Sequence, residues 1–176
     1  MADNALNTIM KTLLSSDALS GIASTTGASE SDVSSVLTSV LPSLLNGANT
    51  QATQTSTAAS FVQALTDHSE KDTSDLTSFF KNVDLTDGTK IVKHLLGSTG
   101  TEETTKAAAK SSGVSAAQVA KIVAAAAPLL MTLVGKQTAK KSSSKKSDDS
   151  TSIVSSLATS LLSNVDATSI IKSLLK

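Results

Sequence analysis

Apolar residues along this chain recur at spacings of three and four, and no stretch alternates with period two between hairpin turns. The pattern predicts an all-α, multihelical protein. A first helix over residues 3–14 places Leu6, Ile9, Met10, Leu13 and Leu14 on one face. Asp17 is the expected N-cap of a second helix that ends near Gly27. Ser29-Glu30-Ser31-Asp32 then offers a cap-like start for a longer helix towards Asn46. Its stripe is Val33, Val36, Leu37, Val40, Leu41, Leu44 and Leu45, helical spacing sustained for three turns.

Residues 46–57 lack a large apolar side chain and read as a surface loop. Shorter helices are expected over 58–65, 76–83 and 90–96, the last entered through Asp84 and Asp87-Gly88. All three phenylalanines, Phe61, Phe79 and Phe80, fall in this middle stretch and are expected to wedge the core. Gly97-Ser98-Thr99-Gly100 breaks the pattern. Thr101-Glu102-Glu103 starts the next helix with acids where the helix dipole favours them.

An internal echo is the most informative feature. An offset of 86 residues sets Gly27 on Gly113, Ala23 on Ala109, Ser29 on Ser115, Val33 on Val119, Val36 on Ile122, Leu37 on Val123, Leu44 on Leu130 and Leu45 on Met131. The chain has two prolines, Pro42 and Pro128, and the same offset superposes them. Proline costs about 3 kcal/mol inside a helix, so a kink or break at both places is read as architectural. Each copy, over 17–47 and 103–135, reads as helix-turn-helix-like: a small Ala, a turn Gly, a Ser cap and branched apolar residues beyond.

Residues 136–150 are Lys- and Ser-rich without large apolar side chains and read as a flexible linker. Residues 151–176 read as an amphipathic helical tail, with stripes Ile153, Val154, Leu157, Leu161, Leu162 and then Ile170, Ile171, Leu174, Leu175. The organisation is thus a helical domain over 1–135, a linker and a tail. The tail is expected to form an extra packing layer, on its own chain or between subunits.

Composition narrows the function. The chain has 54 Ser plus Thr, 15 Lys, no Arg and no Cys, which excludes disulfides, thiolate catalysis and cysteine zinc sites. Its formal charge is zero, so no global field draws nucleic acid or an anionic membrane. Residues 1–135 carry 8 Lys against 12 acids and residues 136–176 carry 7 Lys against 3, a mildly acidic body with a mildly basic tail. The N-terminus does not read as a secretory signal. The longest apolar run, 122–131, falls short of the ~20 residues that span a bilayer, so no membrane span and a cytoplasmic location are expected.

Catalytic signals are thin, and neither a catalytic residue nor a cofactor nor a metal site is expected. There is no G-x-S-x-G elbow and no Gly-Lys phosphate loop. His68 sits at a polar helix end, where solvent exposure or a dipole-complementing role is expected, and His94 reads as half-buried on a helix. Two such separated histidines make a poor metal signal. Residues 82–90 miss the spacing of a calcium loop and its closing Glu. For DNA reading, the second repeat offers Gln118 and Lys121, and Lys140, Lys141, Lys145 and Lys146 would add a nonspecific phosphate grip. The first repeat offers Glu30 and Asp32 at the same place, which phosphate repels.

His94-Leu95-Leu96-Gly97, followed by Ala109, Gly113-Val114-Ser115, Val119 and Ala127-Pro128-Leu129-Leu130, with the earlier echo in Ile22-Ala23, Gly27, Ser29 and 41–45, resembles the YidB-like family, bacterial domain of unknown function 937. The resemblance covers about 6–135. It implies a mostly helical fold with homeodomain-like packing, and neither an activity nor functional residues. The expected function is that of a non-enzymatic helical binding or scaffold protein that self-associates or binds another protein, with a DNA-associated protein as the alternative.

Overall fold

The computed structural model of the chain describes residues 3–144, with side chains described within 7–137. Among the described residues there are seven α-helices and no strand: α1 (Asp3–Leu13), α2 (Ser16–Thr26), α3 (Glu30–Thr53), α4 (Ala58–Ser69), α5 (Leu76–Lys81), α6 (Leu85–Ser112) and α7 (Ala116–Ser144). The protein is all-α, as its hydrophobic spacing predicts. The basic tail stripes, with Lys145 and Lys146, lie outside the described residues.

A helix that is apolar on every side must be enclosed by others. Residues 122–135 of α7 meet that condition, and every one of them is buried, Thr132 and Pro128 included. Helices α1, α2, α3, α4 and α6 all pack against α7, which forms the axis of the bundle. The Thr132 hydroxyl escapes an unpaired burial by donating to the Pro128 carbonyl at 2.8 Å. The stretch Ala116–Gln137 is long and apolar enough to cross a membrane by length and composition, and 78% of its 18-residue apolar window is buried inside the fold. The sequence reading took the run 122–131 with Leu133 and Val134 beyond Thr132; Ala116, Ala117, Val119 and Ala120 lengthen it across Gln118 and Lys121.

Small residues set how closely the other helices approach this axis. Pro128 has no N–H to donate to the Ala124 carbonyl. Gly88 of α6 packs against that carbonyl so tightly that a methyl group there would collide with it. An α-hydrogen of Gly88 faces the oxygen that the proline leaves unserved. Neither proline ends its helix: α3 and α7 both run on.

The turns before α3 and α7 match. Gly27 (φ 72°, ψ 19°) and Gly113 (φ 73°, ψ 6°) are both left-handed. Their N–H groups donate to Ala23 and Ala109 carbonyls at 2.8 and 3.0 Å. Ser29 and Ser115 hydroxyls accept from the Asp32 and Gln118 N–H groups at 3.1 and 3.3 Å. This is the left-handed glycine stop followed by a serine cap.

Several sequence expectations are corrected. Residues 46–53 are helical, because Gly47, Ala48 and Ala52 are buried and Gly47 lies against the Leu95 backbone, where no large side chain fits. The cap of α2 is Ser15, whose hydroxyl accepts from the Ala18 N–H at 3.3 Å, rather than Asp17. Met10 is 37% exposed rather than on the buried face. Phe61 and Phe80 are buried, but Phe79 is half-buried, its ring edge-on to Phe80 at 5.4 Å. The break at 97–100 falls on Gly97 alone (φ 72°, ψ 171°), which divides α6 into two halves. The linker expected from residue 136 begins helically, since α7 runs to Ser144 through Gln, Ala and Lys, all good helix formers.

Candidate functional site

The sequence candidates for nucleic-acid contact are dispersed. Gln118 is half-buried, and its side-chain amide donates to the Thr26 carbonyl at 2.9 Å, tying the start of α7 to the end of α2. Lys121 is exposed one turn further on. Lys140 and Lys141 lie on the same helix, about 28 Å from Lys121 along its axis at 1.5 Å per residue. No single face at the start of α7 collects them.

The side chains that the structure does gather lie elsewhere, on the α4–α5–α6 side, in two clefts that share Asp87. The first, of about 530 Å³, has Asp72, Asp75, Asp84 and Asp87 on its walls against one cation, Lys71, with Phe79, Val83 and Pro128 as its apolar part. Three of these carboxylates are fixed by capping. Asp72 accepts from the Ser74 N–H at 2.8 Å, Asp75 from the Ser78 hydroxyl and N–H at 2.7 and 3.2 Å, and Asp84 from the Thr86 N–H at 2.7 Å. These bonds hold all three carboxyls below the usual aspartate range. Lys136, whose ammonium donates to the Thr73 hydroxyl at 2.8 Å, adds its charge near Asp72.

The second cleft, of about 330 Å³, opens between α4 and α6 over Met131 of α7. Ala64, Ile91 and Leu95 form its apolar walls, and Ser60, Lys90 and both histidines its polar rim. His68 and His94, 26 residues apart in sequence, meet here because α4 and α6 both pack on α7. The side chain of His68 is only 15% exposed. Its Nδ1 lies 2.9 Å from the Ala64 carbonyl and its Nε2 lies 3.8 Å from Asp87 Oδ2, where it is fully buried without a hydrogen-bond partner. The position is the last turn of α4, where a proton on the ring complements the dipole. His94 is exposed, not half-buried.

Ser60, His68 and Asp87 are the residue types of a hydrolytic triad, but their arrangement is not one. Ser60 Oγ donates to the Thr57 carbonyl at 3.1 Å. It sits eight residues before His68, about 12 Å along the helix. A nucleophile must lie within hydrogen-bond reach of its base. No group of three or more His, Asp or Glu able to hold a metal ion occurs among the described residues.

Sequence reasoning missed the aspartate gathering. The signal present was four Asp between residues 72 and 87, three of them two or three residues before the Ser or Thr whose N–H they accept. Read one at a time they are caps and turns, and only the tertiary fold, with α5 seated on α2 and α4 and α6 on α7, makes them one wall.

A sequence profile of bacterial proteins of unknown function, DUF937, matches residues 8–137. The chain belongs to the DUF937 family. The DUF937 match takes in both clefts and the whole enclosed stretch of α7, and it stops before Lys140. Comparisons with curated proteins and with solved structures return no match to this DUF937 chain.

Proposed function

We propose that this DUF937 protein is a non-enzymatic binding or scaffold protein, and that its binding surface is the pair of clefts around Asp87. The observation that carries the reading is an acidic wall beside an apolar groove. Carboxylates held ionised by capping bonds are poor proton donors at neutral pH but give a fixed negative field. Next to a groove that admits aliphatic side chains, such a field suits a basic amphipathic helix. Self-association is the case in which a second copy supplies that segment, since residues 136–176 are basic and striped. The cytoplasm is the proposed location, because the stretch of α7 apolar enough for a bilayer serves as the bundle's axis.

The test is a titration of isotope-labelled protein with a short Lys- and Leu-rich amphipathic peptide, read by amide shifts at low and high salt. Shifts concentrated at α4–α6 that weaken with salt, and weaken further in the Asp72→Asn, Asp75→Asn, Asp84→Asn triple variant, support the reading. Binding that ignores the triple variant, or shifts on another face, reject it.

The DNA-associated alternative has exposed Lys121 in its favour. Against it weigh the commitment of Gln118 to Thr26 and the alanines 116, 117 and 120 on the exposed start of α7, which offer no hydrogen-bonding group to base edges. Fluorescence anisotropy of a labelled duplex over a salt series separates the two readings. Binding whose logarithm falls linearly with log salt, retained without residues 136–176, would establish the repeats as DNA readers.

A further inference from the structure

His68 holds a nitrogen that the fold buries and leaves unserved. A carbonyl oxygen only accepts, so the 2.9 Å contact with Ala64 places the ring hydrogen of the neutral form on Nδ1. Nε2 is then a bare acceptor, fully buried and without a hydrogen-bond partner, and the group beside it at 3.8 Å is Asp87 Oδ2, another acceptor. Two acceptors stand side by side with no hydrogen between them, and a buried polar atom left unpaired costs stability.

A proton on Nε2 turns this misfit into a charge-assisted hydrogen bond. Such bonds are about 2.7–2.9 Å long, so closing from 3.8 Å takes about 1 Å, which a turn of the 45%-exposed Asp87 side chain supplies. The helix ends suit the charges as well: His68 lies in the last turn of α4 and Asp87 in the first turn of α6.

The other charges around the ring are differently engaged. On its own helix and just after it stand exposed Asp67, Glu70 and Lys71, and Asp67 accepts from the Gln63 amide at 2.8 Å. From α6, Lys90 and His94 share the groove. From α7 come Met131 and, past Gly135, Lys136, whose ammonium is held by Thr73. Helix α3, also packed on α4, has no titratable side chain after Asp32. Of the described acids, Asp87 is the one in ion-pair range of the ring.

We infer that His68 is a proton-operated clasp: once protonated from solvent, its Nε2–H donates to Asp87, ties the end of α4 to the start of α6 across the groove, and commits one of the wall's four carboxylates to the ring. Histidine is the side chain that changes charge between about pH 5 and 8, and capping keeps Asp72, Asp75 and Asp84 ionised over that range. The clasp stands on the geometry at His68 alone. Its regulatory consequence, release of a basic partner on acidification, rests on reading the clefts as a binding surface.

Imidazole nitrogen spectra of the full-length, isotope-labelled protein over the same pH range test the clasp. At the basic end His68 is expected as the Nδ1–H tautomer, and on acidification the Asp87 carboxyl carbon signal is expected to move together with the ring. Asp87→Asn offers the neutral ring a donor in place of an anion, so the His68 titration is expected to shift to lower pH, more than that of exposed His94. Asp84→Asn, on the same wall, is expected to leave it in place. An Nε2–H tautomer at the basic end, or a His68 titration that ignores Asp87→Asn, overturns the clasp. The Lys- and Leu-rich peptide reads the consequence: the native protein is expected to lose affinity several-fold on acidification, and His68→Gln, which keeps His94, to abolish the loss. A loss that persists in His68→Gln overturns the regulation. A peptide that binds at neither pH rejects the binding surface and the regulation with it, while the ring spectra decide the clasp separately.

Discussion

Helices α3 and α7 begin alike, each after a left-handed glycine and a serine cap, and each has a proline thirteen residues past that cap, yet α3 keeps an open face and α7 is enclosed. The difference lies in the residues between the shared apolar positions. Where α3 has Thr38, Ser39 and Ser43, α7 has Ala124, Ala125 and Leu129 at the 86-residue offset. Hydroxyls line one side of α3, and Thr38, whose carbonyl Pro42 leaves without a helical N–H, is itself an exposed residue. In α7 the equivalent carbonyl, that of Ala124, is met by Gly88. One local design thus supports both a surface helix and a bundle axis, and the intervening side chains decide between them.

The sharpest way to break that distinction is Gly88→Ala. Its methyl group would collide with the Ala124 backbone, which cannot move aside as a side-chain tip can, so a loss of about 3 kcal/mol or more in urea unfolding is expected. Gly100→Ala, in the second half of the same helix, meets only ordinary contact with Leu96 and is expected to be neutral or to stabilise by up to about 1 kcal/mol. Equal costs at the two glycines would refute the claim that close approach to α7 matters.

Leu129→Ala against Ser43→Ala compares aligned positions directly. Leu129 is fully buried, and its truncation is expected to cost about 3 kcal/mol, whereas Ser43→Ala should stay within about 0.5 kcal/mol. The two turns should instead behave identically. Gly27→Ala and Gly113→Ala each force a non-glycine residue into the left-handed region with nothing else in the way, for about 1–2 kcal/mol apiece in thermal unfolding. A large inequality between them would show that the turns differ despite matching dihedrals.

The smallest effect concerns the aspartate wall. The carboxyls of Asp72, Asp75 and Asp84 lie below their unfolded value, so they stabilise the fold above about pH 4, and that contribution disappears as pH falls through their folded values. Replacing all three with Asn should leave less stability to lose on acidification below pH 4, measured by circular dichroism. An acid transition as steep as that of the native chain would mean that the caps contribute nothing measurable.

Much of the fold was legible because its signals are local. The stripe of α3, the glycine stops at Gly27 and Gly113, the serine caps and the break at Gly97 each depend on a few neighbouring residues and on backbone sterics. The failures share a cause as well. Residues 46–53 look like a loop because they lack large apolar groups, but a helix crossing another at close range needs small ones. Of the candidate site, the histidines and Gln118 were visible as residues, and their neighbours were not. His68 meets Asp87 across two helices, and Gln118 meets Thr26 across 92 positions.

By itself, the sequence determined that the chain is helical, where most of its helices stop, and that two turns repeat, because hydrophobic period, left-handed glycines and hydroxyl caps act within a turn or two of chain. Only the tertiary structure decided that α7 is the axis, that four separate aspartates form one wall, and that an apolar groove adjoins it. Those properties arise from which helices pack on which, and packing is set by complementary shapes between residues far apart in the chain.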